Sequence, residues 1–239
     1  MAMDVDEDPL GGREAAARDA LKADFEVKSK LKPFYTGGRI SVSSTLQIAA
    51  CPCGEEVSIV DLKTKATVKT VPGDSETVSS VAITQDGKSI FVASRSLQCS
   101  HWDLDAMTRK QRWKCHKAPV LHMALDSQDL YLATAGADSV VKVWDVSEGY
   151  ITHLFKGHSG TVLYVAFHPN PRKYQLYSCG DDADVRVWDL KTKSCVSLLK
   201  GHISAISSLS VSPCGEFLLS CGQDNLALMW NIASGKKAV

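Results

Sequence analysis

The dipeptide Trp-Asp recurs along this chain at an almost constant interval. Val60-Asp61, Trp102-Asp103, Trp144-Asp145, Trp188-Asp189 and Trp230-Asn231 follow one another at spacings of 42, 42, 44 and 42 residues. A period of this length means one supersecondary unit repeated and stacked, because a single unit cannot bury its own apolar face.

Each period carries the same internal order. Lys-Gly-His, or a relic of it, stands upstream at 114–116, 156–158 and 200–202. An alternating strand follows, as in VLYVAF (162–167) and AISSLSV (205–211). A turn comes next (QDGK at 85–88, SPCGE at 212–216), then a short apolar strand such as LYLATAG (130–136) or FLLSCG (217–222). The Asp turn and the Trp strand complete the phrase, and a fourth strand such as CVSLLKG (195–201) leads onward. Short strands punctuated by Gly, Pro and Asp predict a four-stranded antiparallel sheet per unit. The expected fold is all-β: a propeller of about five four-stranded blades over residues 31–239. The last blade is expected to lack a complete outer strand, since only ASGKKAV follows its Trp strand. Five blades are few for a closed ring of this type, so the expectation is an incomplete, truncated propeller with an exposed apolar flank on its last blade.

Four residue types keep fixed places within the repeat, and together they can form a chain of hydrogen bonds. An indole only donates, a carboxylate only accepts, and a neutral imidazole and a hydroxyl do both. The spacing delivers three sets: His116, Thr134, Asp138, Trp144; His158, Ser178, Asp182, Trp188; and His202, Ser220, Asp224, Trp230. A buried network of this kind holds only when every member is satisfied. The same residue types serve in hydrolases, but a hydrolase needs one triad in a pocket with an oxyanion hole. Three copies in register with the fold read as structural pins, with no catalytic residue and no enzyme. His101, His122, His153 and His168 lie off the pattern and read as surface or loop residues. The second unit has Ser96 at the Asp position and no Gly-His before it; the first has Gly54 there and no Trp. Both read as degenerate blades held by packing alone.

Composition agrees with a folded domain and removes several alternatives. The chain has 239 residues, 44% hydrophobic and 23% charged, with no net charge. Neutrality argues against nucleic-acid binding as the main activity, and no apolar run is long enough for a membrane helix. Eight cysteines raise the question of metal or disulfides. Cys179 and Cys221 follow the repeat and read as small buried strand residues, while Cys51 and Cys53 lack a second pair at zinc spacing. No metal or cofactor is expected, nor a small-molecule substrate. Residues 1–30 read as an acidic arm, disordered at first and weakly helical over 13–31. The propeller is expected to open near Leu31, with LKPFYTGG (31–38) as an outer strand.

These residues identify the chain as resembling the WD40 family over roughly 31–239. Within that family, KPFYTGG (32–38), SRSL (94–97), HKAPV (116–120), VAFHPNP (165–171), DADVRVWDL (182–190) and SAISSLSVSPCGEFLLS (204–220) resemble the WD40 subunits of the small-subunit processome, in a plant-like version. The resemblance implies a non-catalytic scaffold in a nucleolar assembly that folds and processes the precursor of the small ribosomal RNA. It implies other WD40 and helical subunits as partners, with contact to precursor rRNA or small nucleolar RNA as a further option. The candidate partner-binding positions are loop residues: Lys117, Ser159 and Ile203 after each His, and Arg95, Asp181 and Gln223 in the Asp turns. The alternative weighed is a substrate receptor of a cullin-type ubiquitin ligase. It would want Arg two places after the Trp-Asp pair, where this chain has Asp105, Ser147, Lys191 and Ala233. A G-protein-beta-like adaptor would want a coiled-coil arm, and residues 13–31 lack sustained heptads.

Overall fold

A computed structural model describes residues 35–43 and 45–238. The proposed arm at 1–30 lies outside them. Five antiparallel sheets follow in chain order, four strands each. The first holds β1 (Ser41–Ser43), β2 (Ile48–Cys53), β3 (Glu56–Asp61) and β4 (Thr67–Val71). The second holds β5 (Val78–Ile83), β6 (Ser89–Ser94), β7 (Gln98–Asp103) and β8 (Thr108–Lys114). The third holds β9 (Val120–Leu125), β10 (Tyr131–Gly136), β11 (Val140–Asp145) and β12 (Ile151–Lys156). The fourth holds β13 (Val162–Phe167), β14 (Gln175–Gly180), β15 (Asp184–Asp189) and β16 (Ser194–Lys200). The fifth holds β17 (Ile206–Val211), β18 (Phe217–Gly222), β19 (Ala227–Asn231) and the two-residue β20 (Lys236–Lys237). Among residues 31–38, those described (35–38) form no strand; Gly37 and Gly38 take positive φ and the chain bends there.

The core lies between blades rather than within them. Successive strand residues point to opposite faces, so one strand serves two neighbours. On β6, Ile90 and Val92 pack with Val57 and Ile59 of the first blade, while Phe91 and Ala93 pack with Val120, Leu132 and Trp144 of the third. The same division repeats onward. Trp188 packs with Val141, Val143 and Phe155 of the third blade, and Trp230 packs with Tyr177, Val185 and Leu199 of the fourth. The three repeat indoles are thus wedges between sheets, each a large apolar burial.

Strand order fixes which loops share a face. In a four-stranded antiparallel sheet, the connection entering the first strand and the turn between the second and third open on one side. The other two turns open on the opposite side. We call these the upper and lower faces. The first strands of neighbouring sheets lie side by side, so the upper loops of all blades gather together, and so do the lower ones.

On the lower face the Asp of each Trp-Asp pair caps the turn into the outer strand. Asp103 Oδ1 accepts the amides of Asp105 (2.9 Å) and Ala106 (3.0 Å). Asp145 does the same for Ser147 and Glu148, and Asp189 for Lys191 and Thr192. Asp61 serves the first blade, and Asn231 Oδ1 accepts from Ser234 in the fifth. Five turns therefore keep one geometry, each with a positive-φ residue four places after the cap: Lys65, Met107, Gly149, Lys193 and Gly235.

Candidate protein-interaction face

The upper face is built on the polar chains that cross each blade. In the third blade the Trp144 indole N–H donates to Thr134 Oγ1 (3.0 Å), which bonds His116 Nε2 (2.8 Å). The other imidazole nitrogen, Nδ1, meets Asp138 Oδ1 at 2.8 Å. The fourth blade repeats this with Trp188 to Ser178 (2.7 Å), Ser178 to His158 (2.7 Å) and His158 to Asp182 (2.9 Å). The fifth repeats it with Trp230 to Ser220, Ser220 to His202 and His202 to Asp224, at 2.8, 2.8 and 2.9 Å. The donors and acceptors fix one tautomer. A carboxylate cannot donate, so Nδ1 carries the proton; Nε2 then accepts from the hydroxyl, whose oxygen accepts from the indole.

This order matches a hydrolase triad atom for atom, and access separates the two. Thr134, Ser178 and Ser220 are each 0% exposed, and each hydroxyl oxygen is already engaged by an indole. Burial holds the His116 and His158 pKa values below the ordinary range against the pull of Asp138 and Asp182. Burial pushes Asp138 and Asp182 upward, but the amides beyond each His and the imidazoles themselves bring both below their usual value.

The second carboxylate oxygen does the work that shapes the face. Asp138 Oδ2 accepts the Lys117 amide (3.0 Å), Asp182 Oδ2 the Ser159 amide (3.3 Å) and Asp224 Oδ2 the Ile203 amide (3.0 Å). A further backbone bond ties each Asp turn to the loop entering the blade: Arg95 N to Thr77 O, Asp181 N to Thr161 O and Gln223 N to Ala205 O. All six candidate residues, Arg95, Lys117, Ser159, Asp181, Ile203 and Gln223, are exposed on this one face, Ile203 at 87%. Arg95 also rims a cavity of about 640 Å³ walled by Thr36, Gly54, Thr77, Pro119 and Leu121; the other five lie away from it.

The expectation that the first two blades rely on packing alone is overturned. Asp74 stands as far before Trp102 as His116 stands before Trp144. Its Oδ2 accepts from Ser94 Oγ (2.8 Å), Ser96 Oγ (2.5 Å) and Arg112 Nη2 (3.1 Å). A carboxylate has taken the imidazole site and the Ser96 hydroxyl the carboxylate site, with Ser94 beside them, so this end of the pin survives with its polarity reversed. Burial raises Asp74, yet the two hydroxyls and the Arg112 charge leave its pKa below the ordinary value. In the first blade, Thr36 N donates to Pro52 O and Gly54 N donates to Thr36 Oγ1.

Of the off-pattern histidines, His168 does stand in a loop, but none is freely exposed: His101 and His168 are buried, and His122 and His153 are half-buried. His122 stacks on Tyr164 of the fourth blade (3.8 Å between ring centres) and its Nδ1 accepts the Val165 amide (3.3 Å). His153 Nε2 donates to Leu190 O (2.8 Å) across the same boundary. His168 is buried, accepts the Asn170 amide on Nδ1 and donates from Nε2 to Gly215 O in the fifth blade. His101 is buried against Phe91. Burial drops His101 to about 4 and His122 to about 3, helped by Lys110 and Arg39 respectively. Strand alternation points His122 and His153 at the fourth blade and the loop after β13 points His168 at the fifth, which a count from the Trp does not reveal. Cys179 is buried, whereas Cys221 is only half-buried, and no disulfide links the cysteines described.

Four stretches, 65–103, 107–145, 149–189 and 193–231, match the family profile described as WD domain, G-beta repeat. The chain belongs to the WD40 family. Each matched stretch starts in the turn just before the outer strand of one blade and ends at the Trp strand of the next. The WD40 profile takes in only the outer strand of the first blade and leaves out its first three strands, where Val60 stands in the place of Trp. The chain is 38% identical over 222 residues to Transducin beta-like protein 3 of Mus musculus, covering 92% of this chain and 28% of that one. The Homo sapiens protein of the same name is 36% identical over the same length. U3 small nucleolar RNA-associated protein 13 of Saccharomyces cerevisiae is 30% identical over 145 residues, 58% of this chain and 17% of that one. The chain thus spans little more than a quarter of the length of its mammalian relatives.

Proposed function

We propose that this protein is a non-catalytic WD40 scaffold of small ribosomal subunit biogenesis, acting within the small-subunit processome in the nucleolus. It holds other WD40 and helical subunits through its upper face, with contact to precursor rRNA or small nucleolar RNA where those subunits bring it near. One observation carries the reading. Every hydroxyl–imidazole–carboxylate chain is sealed, while the loops held by these chains and by the Asp74 cluster present Arg, Lys, Ser, Asp, Ile and Gln to solvent. A rigid frame with chemically varied, exposed tips suits recognition by a few anchor residues. The likeness to Transducin beta-like protein 3 and to a yeast protein named for U3 small nucleolar RNA supports the assignment to ribosome assembly.

The test is recovery of the tagged chain from nuclear extract. U3 small nucleolar RNA and small-subunit precursor rRNA are measured against cullin-ligase adaptors. The expected result is enrichment of the two RNAs, lost in an Arg95→Glu/Ile203→Asp variant that keeps its thermal midpoint. Adaptors recovered without either RNA would favour the ubiquitin-ligase reading. Labelling of Ser178 or Ser220 by a serine-hydrolase probe would remove the non-catalytic one.

A further inference from the structure

The lower face carries a second feature that the upper face does not explain. A cavity of about 290 Å³ opens between the third and fourth blades. Leu130, Tyr131, Phe167 and Leu190 form its apolar part, with Arg172 and Tyr174 on its wall. Leu130 and Tyr174 leave much of their apolar surface in water, so the cavity is an open apolar notch and not a closed void.

The Asp126, His168 and Asn170 side chains on its lining are already engaged. Asp126 Oδ1 accepts the amides of Leu130 (2.7 Å) and Tyr131 (2.8 Å), and Oδ2 that of Gln128 (3.4 Å). His168 spends both nitrogens on Asn170 and Gly215. Asn170 Oδ1 accepts the Arg172 amide (3.0 Å) and holds the single 3₁₀ turn Pro171–Lys173 in place. The charged groups around it that remain free to meet a ligand are cations. Arg172 and Lys173 from this turn, and Lys191 and Lys193 from the turn after Trp188-Asp189, are all exposed. None of the four pairs with a carboxylate among the described residues. The Lys191 ammonium instead sits 4.4 Å from the centre of the Tyr174 ring.

We propose that this notch docks an acidic linear peptide, one large apolar side chain entering between Leu130 and Leu190 while its carboxylates meet Arg172 and Lys191. The volume stands at the lower limit of ligand cavities, which suits one anchor side chain better than a whole small molecule. Charge complementarity supplies the second half of the recognition. The floor and walls are held by hydrogen bonds already made, so little ordering cost remains at binding. Single-stranded RNA fits less well. It needs open aromatic faces for stacking, and the one aromatic ring exposed at the rim has Lys191 across it. The site opens on the opposite side from the upper loops, so both can be occupied together. The proposal does not depend on which assembly the upper face serves.

The probe is a fluorescein-labelled peptide with one Phe flanked on each side by three Glu residues, titrated into the full chain by fluorescence anisotropy. It is compared with the same peptide carrying Ser for Phe, the same peptide carrying Lys for Glu, and a twelve-nucleotide oligouridylate. Binding of the acidic Phe peptide is expected, with a loss of roughly tenfold or more in Arg172→Glu/Lys191→Glu. The Lys-containing peptide should then bind that variant better than it binds the native chain. Lys65→Glu/Lys114→Glu makes the same charge change elsewhere and should leave binding unchanged. All four lysine and arginine positions are exposed, so folding is retained and is checked by the thermal midpoint. No binding of the acidic peptide, binding that survives the double reversal, or tighter binding of oligouridylate would each overturn the proposal.

Discussion

Ser178 is a single hydroxyl with two obligations, accepting the Trp188 indole N–H and satisfying His158 Nε2. Ser178→Ala leaves both partners buried and unmet, at about 1–3 kcal/mol each. A loss of about 2–6 kcal/mol is expected, read as a lower urea midpoint at unchanged slope. The buried histidines make a second demand. His116, His122 and His158 all have folded pKa values below their unfolded value near 6.5. Stability is therefore complete above about pH 6.5, where both states hold neutral imidazoles. As pH falls below that value the unfolded chain takes up protons the folded chain resists, and each such group removes up to about 1.4 kcal/mol per pH unit. The loss continues to about pH 3 for His122. Asp138 and Asp182, held below their ordinary values, add their own loss only below about pH 4. Denaturation midpoints at pH 7.5, 6.0 and 5.0 check this; equal midpoints would contradict it.

At the level of the blade, the pin and the residue packed against it form a matched pair. A Cβ on Gly136 would lie 2.3 Å from His116 Nδ1, and one on Gly222 would lie 2.7 Å from His202 Nδ1. Glycine is required there because the imidazole fills the space. The second blade has Ser94 at that place, and the smaller Asp74 carboxylate leaves room for it. Asp74→His alone should therefore destabilise the blade, and Asp74→His/Ser94→Gly should recover part of the loss. Thermal midpoints of the two variants decide this; a double variant no better than the single one would refute the coupling. The same pair shows what the amino-acid order discloses. The three full sets were readable because four residue types hold four fixed places. The Asp74 pin was hidden, since it keeps the place but exchanges the chemistry, and its hydroxyls stand at Ser94 and Ser96 instead of ten residues before the Trp. The capping role of the Trp-Asp carboxylate is likewise hidden in residue type alone, although its spacing to Lys65, Met107, Gly149, Lys193 and Gly235 repeats as faithfully as the tryptophans.

Across the whole set of blades, one side chain reaches further than any strand. The Arg39 guanidinium, just before β1, lies 4.5 Å from the centre of the Tyr164 ring and donates from Nη2 to Ser207 O (2.9 Å) in the fifth blade. Tyr164 in turn stacks on His122 of the third. One contact chain thus joins the first, third, fourth and fifth blades. Sequence could not reveal it, because the partners lie far apart and none belongs to the repeated phrase. The lower notch escaped for the same reason. Arg39→Ala should cost about 2 kcal/mol from the lost cation–π contact and hydrogen bond, a fall of roughly 4–8 °C in thermal midpoint. An unchanged midpoint would mean that the contact adds nothing. A last consequence follows from how Lys117, Ser159 and Ile203 are held. Each is anchored to its aspartate only through the main chain, so the frame is indifferent to which side chain it displays. Such a molecule can be re-addressed to a new partner by exchanging its outermost tips, leaving the tumblers of the lock untouched.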